Sequence, residues 1–258
     1  MDKSIKELSQ GLRIKEFSSE DIVRECFDNI ERHGKEINAF ITLVDKDEAI
    51  KSATEKDKNI STARSLLHGV PYVLKDAYVT KGIRTTSASN VLENYIPQYS
   101  STVYQKLTEA GAILIGKMNM DAWGHGSPTA NTDFGPVKNP WDMTRSAGGS
   151  GGGPAAAIAS RMCAFAIGED TGVSIRNPAA WCNVTALKVT YGRVSRYGAI
   201  PYVSSFDTVG PTAKSAGDCA LILEVIAGKD LYDASSSPKS VPHYFEVLNK
   251  PTKDVVIG

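Results

Sequence analysis

Two serines sit in settings where a hydroxyl can react. Ser150 lies inside Gly148-Gly149-Ser150-Gly151-Gly152-Gly153, and Ser174 closes Gly168-Glu169-Asp170-Thr171-Gly172-Val173-Ser174. A serine among consecutive backbone amides has the surroundings of an oxyanion hole, where N–H groups meet developing negative charge. A serine nucleophile also needs a base. The chain has four histidines, and His125, alone in a polar loop, reads as solvated. Some serine hydrolases use lysine instead. Lys75 ends the apolar run Tyr72-Val73-Leu74, so it is either a solvated strand end or an amine held in low dielectric, where its neutral form is favoured. In the second case Lys75 is the base and Ser150 a candidate relay. Two other readings compete for the glycine stretch, a phosphate cradle and simple tight packing. The phosphate reading lacks both the dinucleotide and the Walker spacings, and Gly116-Lys117-Met118 lacks the Walker hydroxyl.

Rigid elements must hold these residues. Pro154 and Ala155 to Ala159 read as a helix opened by the glycine loop. Cys163 to Ile167 reads as a strand, and Gly168 to Ser174 as the polar turn that follows it. Tyr72 to Leu74 and the apolar Ala112 to Ile115 are strands of a sheet buried on both faces. Ser100 to Ala110, ended by Gly111, is a helix, and helix alternating with strand argues for an α/β fold. Ser18 to Asp21 caps a helix whose apolar face is Ile22, Val23, Cys26, Phe27 and Ile30. Asn38 to Val44 is strand-like, and Asp45 to Lys58 is a polar helix. Residues 1–60 are therefore expected to form a helical layer over a core of residues 61–258. Farther on, Ala186 to Thr190 reads as a strand and Ser204 to Pro211 as a loop closed by Gly210-Pro211. Ser215 and Asp218 cap a helix that stops at Gly228. Lys253 to Gly258 reads as the start of another strand, so the chain is expected to be the front part of a longer domain.

Composition narrows the function. The 258 residues are 41% apolar, enough for a sizeable core, and the 29 basic and 29 acidic residues balance. A neutral chain has no general footprint for nucleic acid. The four cysteines are far apart, with no CxxC or Cys/His cluster, so the pattern offers no zinc site and fits reduced thiols in a cytoplasmic setting. Neither a signal peptide nor an 18-residue apolar stretch is present, so no membrane role is expected.

The glycine–serine motifs resemble those of the amidase signature family. Its pattern is GGSSGGS-AAA followed by DTGGSIR, with an upstream GVP-x-x-x-KD; here the segments read GGSGGGPAAAIA, DTGVSIR and GVPYVLKD. Asp133-Phe134-Gly135-Pro136, Asn139-Pro140-Trp141-Asp142 and Ser205 to Pro211 extend the likeness across nearly the whole chain. These flanks are most similar to the branch that acts as glutaminase subunits of tRNA-dependent amidotransferases. The resemblance implies a mixed, largely parallel sheet flanked by helices, with a C-terminal part that continues it. It implies Ser174 as nucleophile, Ser150 as a bridging serine in a cis peptide with Gly149, and Lys75 as base. The amides of Thr171, Gly172, Val173 and Ser174 would face the oxyanion, and Asp170 and Arg176 would brace the loop. The implied substrate is glutamine or a similar small amide. The implied setting is a hetero-oligomer whose partner subunit holds tRNA, ATP and Mg, with no cofactor in this chain. Three positions depart from the pattern. Gly151 and Pro154 replace serines, and Val173 replaces a glycine, which would be strained if that position required a positive φ. A stand-alone amidase and a non-catalytic scaffold are the alternatives.

Overall fold

The computed structural model describes residues 2–248 and 250; the strand expected over 253–258 lies outside them. The chain runs α1 (Ile5–Arg13), α2 (Ser19–Ile37), β1 (Phe40–Leu43), α3 (Lys46–Lys58), β2 (Pro71–Lys75), α4 (Thr102–Glu109) and β3 (Ile113–Met118). It continues through β4 (Lys138–Asn139), β5 (Asp142–Ser146), α5 (Gly152–Ala159), β6 (Phe165–Asp170) and α6 (Arg176–Trp181). The last elements are β7 (Thr185–Ala186), β8 (Thr208–Ala213), α7 (Ala216–Ile226) and α8 (Tyr244–Val247). Six strands form one sheet in the order β1-β3-β2-β6-β8-β7, while β4 and β5 pair separately. The sheet is mixed, as expected. β3, β2 and β6 run parallel at its centre, and the outer pairings are antiparallel.

Side chains alternate across the central strands with the period of two that a strand imposes. Tyr72 and Leu74 of β2 and Phe165 and Ile167 of β6 join a core with α1, α4 and α7. Val73 and Ala166 point the other way, toward α2, α3 and α5. Helices thus cover both faces, which is why β2 and β6 read as unbroken apolar runs. The α5 helix sits close. A side chain at Gly153 would lie 2.4 Å from the Asn119 carbonyl oxygen and 2.7 Å from that of Ala39.

Besides the end of β6, three boundaries differ from the expectation. Thr208 to Pro211 is no loop: it belongs to β8, which is buried throughout. Pro211 has no N–H to donate, yet its carbonyl accepts from Leu187 N–H at 3.0 Å, so one of its two backbone groups still serves the sheet. The strand expected over 186–190 shrinks to Thr185–Ala186, the two residues in register with β8, and Leu187 adds one further bond to it. Helix α5 begins at Gly152, which puts Pro154 third, where its missing N–H is still one of those a first turn leaves unpaired.

The ends of β2 and β3 are locked by a fully buried ion pair, Lys117 Nζ to Asp76 Oδ1 at 3.0 Å. Lys117 also donates to the Tyr78 carbonyl and to Thr85 Oγ1, both at 2.8 Å. Asp76 Oδ2 accepts from the Thr86 amide and hydroxyl at 2.8 and 2.6 Å. Removing one member of such a pair strands the other charge, which costs about 3–5 kcal/mol. Lys117→Met is therefore expected to lower the unfolding free energy by about that much in denaturant titration, and Asp76→Leu in the same chain to recover part of it. An unchanged midpoint for Lys117→Met would contradict the bracing role.

Candidate active site

Lys75, the last residue of β2, is wholly buried and donates to Ser150 Oγ at 2.7 Å. Burial removes the water that would otherwise hold the ammonium, so protein groups must take its place. They are Ser150 and Glu169, whose Oε1 lies 3.1 Å from the same nitrogen. Sequence reading missed Glu169 because it put Gly168 to Ser174 in one polar turn. Strand β6 in fact runs on to Asp170, which carries Glu169 up to the end of β2, where it meets Lys75.

The loop that carries Ser150 is fixed from several sides. The Gly149–Ser150 peptide is cis, as the family resemblance implied. A side chain at Gly149 would meet Asp121 Oδ2 at 2.2 Å and the Thr129 nitrogen at 2.6 Å, so only glycine fits there. Asp121 binds the amides of Thr129, Ala130 and Asn131 at 2.9 to 3.0 Å, and its own amide donates to the Ser150 carbonyl at 3.0 Å. Thr129 Oγ1 accepts from Gly152 N–H at 2.9 Å and donates to the Gly148 carbonyl at 2.7 Å. Asp121 and Thr129 carried no signal in the sequence beyond being polar: Thr129 acts on a loop some 20 residues away, and the Asp121 carboxylate orders the segment that carries Thr129.

Ser174 is 6% exposed. Its carbonyl accepts from Gly151 N–H at 3.0 Å, which ties the second serine's backbone to the first serine's loop. No hydrogen bond joins the two hydroxyls. Above Ser174, Gly172 and Val173 lie exposed. Among the described residues, no protein acceptor takes the N–H groups of Thr171, Gly172, Val173 or Ser174. Val173 is not among the residues with positive φ, and a side chain at Gly172 would meet open space. The substitution of valine for the family's glycine therefore introduces no backbone strain. Gly151 is different, since a Cβ there would approach the Ser174 carbonyl oxygen to 2.8 Å.

Asp170 and Arg176 form a two-pronged pair, Nε to Oδ2 and Nη2 to Oδ1, both at 3.0 Å. Asp170 also accepts from the Ile175 amide at 3.1 Å and from Lys188 Nζ at 3.1 Å, and Arg176 reaches back to the Gly172 carbonyl. The pair thus spans the turn between β6 and α6. Burial opposes ionisation of Asp170, but the bonds from Arg176, Ile175 and Lys188 outweigh it and bring the carboxyl down to about 2. His125 is exposed and stacks on Tyr202, with ring centroids 5.3 Å apart. Among the described residues no group of three or more His, Cys, Asp or Glu side chains could hold a metal ion, and no helix is long and apolar enough to cross a membrane.

A carboxylate with a depressed folded pKa contributes stability above its unfolded value, about 3.9, and loses it as pH falls through the folded value. Asp170→Asn is thus expected to remove about 2 kcal/mol of stability at neutral pH and almost none near pH 2. Denaturant midpoints measured at both pH values check this; an equal loss at both would assign the effect to packing.

The family model described as Amidase matches residues 21–258. The A subunit of the glutamyl-tRNA(Gln) amidotransferase from Chromohalobacter salexigens is 45% identical over 258 residues, covering 100% of this chain and 53% of the relative. A crystal structure of the A subunit of that name from Thermotoga maritima superposes with a TM-score of 0.81 at 37% identity, over 93% of this chain and 50% of that one. The native peptide amidase from Stenotrophomonas maltophilia superposes with a TM-score of 0.88 at 32% identity, over 95% and 52%. The chain spans about half the length of the curated relatives it matches.

Proposed function

The chain belongs to the amidase family, and on that premise we propose that it hydrolyses a carboxamide through an acyl-enzyme on Ser174. The observation that carries this reading is the 2.7 Å contact between a fully buried lysine and Ser150, whose loop is bonded to a second serine at the end of a run of unpaired amides. The neutral Lys75 amine takes the proton of Ser150, Ser150 takes that of Ser174, and Ser174 Oγ attacks the amide carbonyl. This requires the Ser174 hydroxyl to turn toward Ser150, a contact of the kind that closes only when substrate is bound. The amides from Thr171 to Ser174 hold the oxyanion. Collapse returns a proton along the relay to the departing ammonia, and water, activated the same way, releases the acid.

Glutamine is the proposed amide, and the ammonia is used by a partner subunit to amidate a glutamyl or aspartyl group on tRNA. The name shared by the relatives supports this choice, as does the balanced charge of the chain, which leaves tRNA to the partner. ATP and Mg would serve that partner, with no cofactor here, in the cytoplasm. The likeness to a peptide amidase favours a second reading, a stand-alone enzyme for another carboxamide.

Ammonia release by the full chain, alone and with partner subunits and charged tRNA, separates the two. Glutamine hydrolysis that rises when partner and tRNA are added supports the first reading; unstimulated turnover of another amide supports the second. In either case Ser174→Ala is expected to lower kcat by more than about 10³-fold with the fold intact by circular dichroism. Undiminished turnover in that variant would assign a scaffold role.

A further inference from the structure

We infer that Glu169 is a positioning residue that takes and stores the proton of Lys75, so that the amine is neutral at the start of the relay. The inference rests on the proposed serine–lysine mechanism. Lys75 Nζ has two side-chain partners, Ser150 Oγ at 2.7 Å and Glu169 Oε1 at 3.1 Å, and all three residues are 0–2% exposed. The nitrogen thus lies between the group it must deprotonate and a carboxylate able to accept its own surplus proton.

The step balances without an outside reactant. The ammonium passes one proton to the Glu169 carboxylate, giving amine and carboxylic acid and cancelling two buried charges at once. The amine then turns its lone pair to Ser150 Oγ. After ammonia has left, the same proton can return to Lys75. The second carboxylate oxygen supports this assignment. Oε2 is buried with no hydrogen-bond partner among the described residues, so an ionised Glu169 keeps an oxygen that no protein group here solvates. A buried charge without full compensation favours the neutral form. Burial pushes the Glu169 carboxyl up, Lys75 opposes this by charge and hydrogen bond, and Asp207 adds to it.

The charged and titratable groups around Glu169 are few. Lys75 comes from β2. Tyr78 follows it in the chain and commits its phenol to the Gly168 carbonyl at 2.7 Å. Asp207 comes from the loop ahead of β8 and already accepts from Thr171 Oγ1 at 2.5 Å. Tyr202 lies beyond Gly124, whose added Cβ would sit 3.1 Å from Glu169 Oε1 and 3.2 Å from the Tyr202 Cβ. On the same strand, Asp170 is taken up by Arg176 and Lys188. Lys75 is therefore the one cation within bonding distance of Glu169 among the described residues.

A proton store and a plain counter-ion shift the pH dependence in opposite directions. With a store, the acid limb of Ser174 reactivity follows the first deprotonation of the pair, a macroscopic step that belongs to both groups. Without it, the lysine must lose its proton to solvent, so the limb rises. A counter-ion that only holds the ammonium gives the reverse, a lower limb when it is removed. The experiment is the rate of fluorophosphonate labelling across pH in the full chain, with the adduct mapped by mass spectrometry, for wild type, Glu169→Gln and Glu169→Asp. The expected result is an acid limb at least one pH unit higher in Glu169→Gln, about tenfold slower below it, and a limb restored toward wild type in Glu169→Asp. Glu169→Ser replaces the glutamine variant should that fail to fold. A limb that stays put or moves down in a folded variant overturns the inference while leaving Ser174 as nucleophile. Absence of any adduct in wild type overturns the serine–lysine mechanism and the inference with it.

Discussion

The site depends on a lysine kept out of water. An amine at the end of a surface strand is an ammonium with a shell of solvent, and no serine nearby can give it a proton. Lys75 is fully buried, between a serine hydroxyl and a carboxylate. Much of the fold serves that placement. β2 lies in the middle of the sheet, bonded to β3 on one side and β6 on the other, so its end cannot fray toward solvent. Residue 76 is anchored across to Lys117, which fixes the direction in which residue 75 leaves the strand. The next strand over, β6, supplies both Glu169 and Asp170. One meets the lysine and the other the arginine under the serine loop.

Two charge pairs thus sit one residue apart on each of two neighbouring strands, Lys75 beside Asp76 and Glu169 beside Asp170. Their environments separate their tasks. Asp76 and Asp170 are each bound by several donors and hold backbone in place. Among the described residues Glu169 has a single partner and an orphan oxygen, which leaves it free to change protonation. A carboxylate held by several donors stabilises structure, whereas one held by a single donor is able to move a proton. Among acids this close in sequence, the number of donors around each decides its role.

How much of this was legible beforehand follows the range of the interactions. The strand before Lys75, the strand before Ser174 and the helix after the glycines are local patterns of apolar runs and turn residues, and they were readable. Ser150 and Ser174 stood out because glycine is tolerated at such density only where backbone must come close or bend, as at Gly149 against Asp121. Asp121 and Thr129 gave no sign, because Thr129 binds backbone far along the chain and Asp121 orders the segment that carries it. Glu169 was hidden by a boundary error. Reading Gly168 as a turn ended β6 before Glu169, and with the strand cut short its direction could not be known. β8 was missed for a related reason, since Gly210-Pro211 punctuates most chains but here lies inside a buried strand whose proline needs only its carbonyl. The worry over Val173 came from a sequence pattern alone, and backbone geometry removes it.

The most direct test of the account is to find where the acyl group goes. The full chain is mixed with an activated amide that deacylates slowly, quenched in acid, and its peptides are mapped by mass spectrometry. The account predicts an acyl group on the peptide bearing Ser174, absent in Ser174→Ala and slower to form in Lys75→Ala. An acyl group on Ser150, or turnover with none on either serine, would contradict it.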